Sequence, residues 1–159
     1  MPTRDKTIFT IGTSTRSLQE FISLVCSFGI TLIIDIRRFP KSSRNPHFNK
    51  ESLQKNVKPH GLHYIWLGET LGGYRKGGYE TYRLTTEYRK GLKKLEYLGQ
   101  KKVSTLVCAE LLPWRCHRLQ VSRDLEARGW RVIHIIDEKR IWEPSNKEKQ
   151  DVLPFPEKH

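Results

Sequence analysis

The stretch Val103-Ser104-Thr105-Leu106-Val107-Cys108-Ala109-Glu110-Leu111-Leu112-Pro113-Trp114-Arg115-Cys116-His117-Arg118 passes from a short, mostly apolar run into a polar turn and then into a segment opened by Pro113. A run of that length bounded by turn signals is the pattern of a buried strand, and proline is well placed to open a helix. The junction gathers two thiols, a carboxylate, an imidazole and guanidinium groups. In a parallel α/β sheet it lies at the carboxyl edge, where such sheets build their ligand sites.

The same alternation extends outward in both directions. Thr7 to Ile11 reads as a strand and Gly12-Thr13-Ser14-Thr15 as its turn; Ser17 with Glu20 forms a capping box for a helix that ends at Gly29. Leu32 to Ile34, leading into Asp35, has no polar alternation, as expected of a strand covered on both faces. A basic loop from Arg37 to Asn49, a short helix over about 51–58, a strand from Leu62 to Trp66, a Gly-rich loop from Gly68 to Gly78 and a helix from about Thr81 to Leu98 follow. Beyond the quoted stretch, a helix from Pro113 to a Gly129 stop precedes a fifth strand, Arg131 to Ile136. The pattern predicts a three-layer α/β domain over 1–137 with a mainly parallel sheet of about five strands, and an irregular tail over 138–159. Polar loops after the first four strands then converge on one edge.

The 159 residues include 29 Lys plus Arg against 17 Asp plus Glu, a formal charge of +12. Such a surface attracts polyanions and anionic metabolites, nucleic acid or a phosphorylated small molecule first among them, or simply keeps the protein soluble. Three cysteines cannot all pair, and no signal segment precedes the first strand, so reduced thiols in a cytoplasm are expected. No apolar run approaches the roughly 18 residues that span a bilayer. The oligomeric state is not legible.

The chemistry concentrates in two loops. Cys116, His117 and Arg118 are expected in the first turn of the helix opened by Pro113, where the helix dipole and the neighbouring cations favour an anion and lower a thiol pKa. Cys116 is then a candidate nucleophile or a small buried hydrophobe, and His117 and Glu110 are candidate acid–base groups. Cys108, at the strand end, reads as a packing residue. Asp35 and Arg37, two apart, project to one side and pair, holding Arg37 for a phosphate or merely securing the loop. Arg37, Arg38, Arg44 and Arg118 are the expected anion ligands, with Asp35, Gly12, Ser14 and Cys108 in support; replacing Arg118 should abolish binding and spare the fold. Phe48, Tyr64, Trp66, Tyr74 and Tyr79 offer stacking surfaces for bases. The Cys and His spacing fits no standard zinc site, and no metal or cofactor is called for.

Ile11-Gly12-Thr13-Ser14, Asp35-Ile36-Arg37-Arg38-Phe39-Pro40, Ser43-Arg44-Asn45-Pro46, Leu71-Gly72-Gly73, Cys108-Ala109-Glu110, Cys116-His117-Arg118 and Val132-Ile133-His134-Ile135, in this order and spacing, resemble the uncharacterised bacterial and archaeal family known as domain of unknown function 488. The resemblance implies an α/β fold with a shared pocket and no particular reaction. Thr13 stands where that family often has histidine. Asp35-x-Arg37 and the cysteine ending a later strand are also similar to rhodanese-type sulfurtransferases, although a longer, Pro-containing insertion replaces their compact cysteine loop. Three functions follow as expectations: an enzyme-like anion pocket acting on a nucleotide, nucleic acid or other phosphorylated substrate; a non-catalytic nucleic-acid-binding module; or a cysteine-dependent sulfurtransferase-like enzyme.

Overall fold

The computed structural model describes residues 5–144. Strands β1 (Thr7–Gly12), β2 (Leu32–Asp35), β3 (His63–Trp66), β4 (Ser104–Cys108), β5 (Arg131–Ile135) and β6 (Ile141–Trp142) form one sheet in the order β3-β2-β4-β1-β5-β6. The first five are parallel, and β6 runs antiparallel to β5 through Ile135–Ile141 and His134–Trp142. This short sixth strand lies in the segment expected to be irregular; residues 145–159 of that segment, with Pro154 and Pro156, lie outside the described residues. No helix among the described residues is long and apolar enough to cross a membrane.

Successive strand side chains point to opposite faces, and here both faces are covered. Helices α1 (Leu18–Ser27) and α2 (Lys50–Val57) place Phe21, Val25, Leu53 and Val57 on Ile11, Ile33, Val107 and Ile135. The other face, formed by Ile8, Ile34, Leu106 and Val132, takes Leu71 from the single turn α3 (Gly68–Leu71), Leu92 and Leu95 from α5 (Thr86–Lys101), and Val121 and Leu125 from α6 (Arg118–Ala127). Each such buried Leu or Ile contributes on the order of 2 kcal/mol. The α/β expectation therefore holds, because apolar residues occupy both parities of the central strands.

Two helix boundaries differ from the sequence reading. The helix expected over about 81–98 is split into α4 (Tyr79–Tyr82) and α5, because the extended Thr85 caps α5 by accepting a hydrogen bond from the Tyr88 amide at 3.2 Å. Pro113 opens only a 3-10 turn, Pro113–Arg115; Cys116 is extended (φ −142°, ψ 151°), His117 is the N-cap and α6 begins at Arg118. Cys116 thus stands before the helix and outside its first turn.

The topology places the site. The chain leaves β2 through α2 toward β3 and leaves β4 through α6 toward β5, in opposite directions and on opposite faces. Neighbouring strands whose connections diverge leave a crevice between their carboxyl ends, the usual ligand position in open α/β sheets. Register pairs Asp35 with Val107 and Gly12 with Cys108, so these strand ends lie level around that crevice.

Candidate functional site

A cleft of about 630 Å³ opens at this crevice. The loop after β2 contributes Arg37, Arg38, Phe39 and Lys41, the loop after β3 contributes Gly73 and Tyr74, and the loop after β4 contributes Glu110, Arg115, Cys116 and His117, with Tyr79 of α4 beside them.

The β2 wall is fixed by a buried ion pair. Asp35, fully buried, accepts from Arg37 Nε at 2.8 Å, Arg37 Nη2 at 2.7 Å and the Arg37 amide at 3.1 Å, and from the Tyr64 hydroxyl at 2.5 Å. Burial, reinforced by the Asp35 charge, pushes the Tyr64 phenol up, so it stays a donor. Trp66 Nε1 donates to the Arg37 carbonyl at 2.7 Å. Loss of either charge from such a pair would cost about 3–5 kcal/mol. Arg37 therefore reaches the cleft with Nε and Nη2 already committed, while the next residue, Arg38, enters it without an ion pair among the described residues.

The β4 wall is built on Arg118, whose side chain is 0 % exposed. Its Nη1 donates to the Glu110 carbonyl at 2.8 Å and to Cys108 Sγ at 3.0 Å, and its Nη2 to the Leu111 carbonyl at 3.0 Å. Gly12 makes this possible: a Cβ there would lie 1.8 Å from the Glu110 carbonyl oxygen and 3.0 Å from Arg118 Nη1. The amides of Thr13 and Ser14 donate to the carbonyls of Cys108 and Ala109, both at 2.8 Å, and tie the turn after β1 to the same wall. Arg118 is consequently a staple of the Glu110–Leu111 loop, and, expected as an anion ligand, it is buried and is not among the residues that line the cleft. Arg44, also expected as a ligand, is exposed and is not among the residues that line the cleft.

The two thiols are ordered oppositely to expectation. Burial opposes ionisation of Cys108, but hydrogen bonds from the Cys116 thiol and the Arg118 guanidinium outweigh it and hold the Cys108 pKa down to about 6. Cys116, half-buried and adjacent to Cys108, is held well above the usual thiol range by that neighbour and by desolvation. After the Cys116 side chain, the Arg118 guanidinium is the next cause: it makes no ion pair with a carboxylate among the described residues, and its Nη1 donates to Cys108 Sγ at 3.0 Å. Cys116 was expected to gain thiolate character from a helix turn that it does not occupy.

His117 Nε2 donates to the Ile36 carbonyl at 3.0 Å, which assigns the proton to Nε2 and leaves Nδ1 as the free-base nitrogen, 3.5 Å from Cys116 Sγ. Burial holds its pKa below the usual imidazole value, so the ring is neutral at pH 7. Glu110 is exposed and its carboxylate makes no ion pair among the described residues. The structure thus brings Arg37, Arg38, Glu110, Cys116 and His117 together, with Asp35, Gly12, Ser14 and Cys108 behind them.

Of the aromatic residues read as stacking surfaces, Phe48 is core, Tyr64 and Trp66 serve the Asp35–Arg37 pair, and Tyr79 bonds the Leu71 carbonyl at 2.6 Å. Tyr74 remains exposed, joined by Phe39, which sequence reasoning passed over. The available signal was a phenylalanine set between Arg38 and Pro40, outside any periodic element.

The family model described as domain of unknown function DUF488 matches residues 17–125. The chain belongs to this family. The DUF488 segment runs from the cap of α1 into α6 and contains every residue that lines the cleft, whereas β1 and β5 fall outside it. No curated protein and no solved structure matches the chain, and the likeness to sulfurtransferases finds no support.

Proposed function

We propose that the cleft binds a phosphorylated ligand, a nucleotide or a nucleic acid, and moves protons on it through His117 and Glu110. One observation carries this reading: Arg38, Lys41 and Arg115 converge on the cleft, and none makes an ion pair among the described residues. Gathering like charges is unfavourable unless an anion compensates them, and the fixed field of such a cleft concentrates anionic ligands. Neutral His117, oriented through its Nε2–H, is suited to accept a proton at Nδ1 from a ligand hydroxyl or from water. The thiol-enzyme alternative is weaker, since Cys108, the thiol whose pKa is lowered, is buried, and Cys116, which lines the cleft, is held above the usual thiol range.

Titration calorimetry with inorganic phosphate tests the reading. The Arg38→Gln/Arg115→Gln double variant, which changes partly or fully exposed side chains, should keep its melting temperature and lose about ten-fold or more in affinity. Equal phosphate affinity in the wild type and the double variant would remove the basis for an anion site.

A further inference from the structure

Phe39 and Tyr74 leave 64 % and 86 % of their surfaces in water at the mouth of the cleft. Their ring centroids are 6.0 Å apart and the planes are inclined at 37°. The rings come from different loops, and the backbone is arranged to make them meet. A Cβ on Gly72 would lie 2.5 Å from Arg38 Cα and 2.6 Å from Arg38 N, so glycine lets the loop after β3 lie directly on the loop after β2. Arg75 then clamps the far side, donating from Nε to the Gly72 carbonyl at 2.8 Å and from Nη2 to the Gly68 carbonyl at 3.3 Å. Between these anchors Tyr74 sits at φ +60°, a left-handed conformation that an L-residue seldom adopts. Backbone strain and a close approach are both committed to holding an apolar ring in solvent, where it covers none of the core.

The surroundings select the ligand. Arg38 lies with its guanidinium carbon 5.4 Å from the centroid of the Phe39 ring, and Lys41 and Arg115 line the same cleft. Aromatic faces next to cations that track a backbone are how proteins hold unpaired bases, because every base has a π-face and every link a phosphate. A neutral lipid or an apolar peptide would leave the cations unanswered, and an acidic peptide without aromatic side chains would leave the rings unanswered.

We infer that the Phe39–Tyr74 platform stacks an unpaired nucleobase whose phosphate is held by Arg38, Lys41 and Arg115. This rests on the anion-binding reading of the cleft and narrows its ligand to a nucleotide. The excess of 12 positive charges makes a single strand the favoured source.

Fluorescence anisotropy with a labelled oligothymidylate at fixed salt of about 0.1 M tests it. Phe39→Ala and Tyr74→Ala, both at exposed side chains, should each weaken strand binding by about five- to ten-fold. Tyr74→Phe should restore it, and affinity for inorganic phosphate, which has no base, should fall far less. Tighter binding of the strand than of thymidine monophosphate assigns a strand, and equal binding assigns a free nucleotide; both uphold stacking. Unchanged strand affinity in the alanine variants, equal binding of an abasic strand, or equal competition by polyglutamate would overturn the inference and leave the anion cleft standing. Phosphate binding that ignores Arg38→Gln/Arg115→Gln would instead remove the anion cleft itself.

Discussion

Replacing Arg118 by methionine keeps the aliphatic stem and deletes the guanidinium, which separates a structural cation from a ligand-binding one. The guanidinium makes three hydrogen bonds, to the carbonyls of Glu110 and Leu111 and to Cys108 Sγ, at 2.8, 3.0 and 3.0 Å. Hydrogen bonds to a charged group contribute about 1.5–3 kcal/mol each, but three on one group do not add independently. Removing one partner from a buried charged cluster costs about 3–5 kcal/mol, and that is the loss expected for Arg118→Met. Against a total stability of about 5–15 kcal/mol, the variant should fold at low temperature with a much lower denaturation midpoint. Urea titrations followed by tryptophan fluorescence give the free energy, and phosphate titration well below the midpoint gives the affinity. A stability loss under about 1 kcal/mol, together with abolished phosphate binding, would refute the structural assignment and restore Arg118 as a ligand.

The lowered pKa of Cys108 predicts a pH dependence. Its pKa is about 6 in the folded chain and near 9 when unfolded, so between those values the unfolded state binds the extra proton and stability rises with pH by up to about 1.4 kcal/mol per unit, being lost as pH falls through about 6. Cys116 is raised, so the trend reverses above about 9; Cys108→Ala should flatten the rise and remove the thiolate absorbance near neutrality, and an unaltered thiolate titration in that variant would contradict the assignment. Gly12→Ala places a methyl 1.8 Å from the Glu110 carbonyl oxygen and should destabilise by about 3 kcal/mol or more; a melting temperature within a degree or so of wild type would show that the β4 wall yields freely.

Much of the fold was legible because its signals are local. Apolar runs marked the five parallel strands within a residue or two, and the Ser17 cap, accepting from the Glu20 amide at 3.0 Å, marked α1. The illegible parts were those where two local signals compete or where the signal is weak. Thr85 reads equally well as a helix residue and as a cap, and only the packing of α5 decides for the cap. The two residues of β6 carry too little pattern to be read as a strand until β5 is there to pair with them.

For the site, the sequence by itself determined the place: strands alternating with helices carry the polar loops to one edge, whatever their side chains do there. Only the tertiary structure decided the roles. Arg115 and Arg118 are three residues apart and chemically identical, yet one lines the cleft and the other lies wholly inside the protein. Asp35 acquires its fourth donor from Tyr64, 29 residues on, and the Cys108 thiol is held below its usual pKa partly by an arginine on the following helix, which donates a hydrogen bond to its sulfur. A charge is free or spent according to which atoms surround it, and those atoms come from distant parts of the chain.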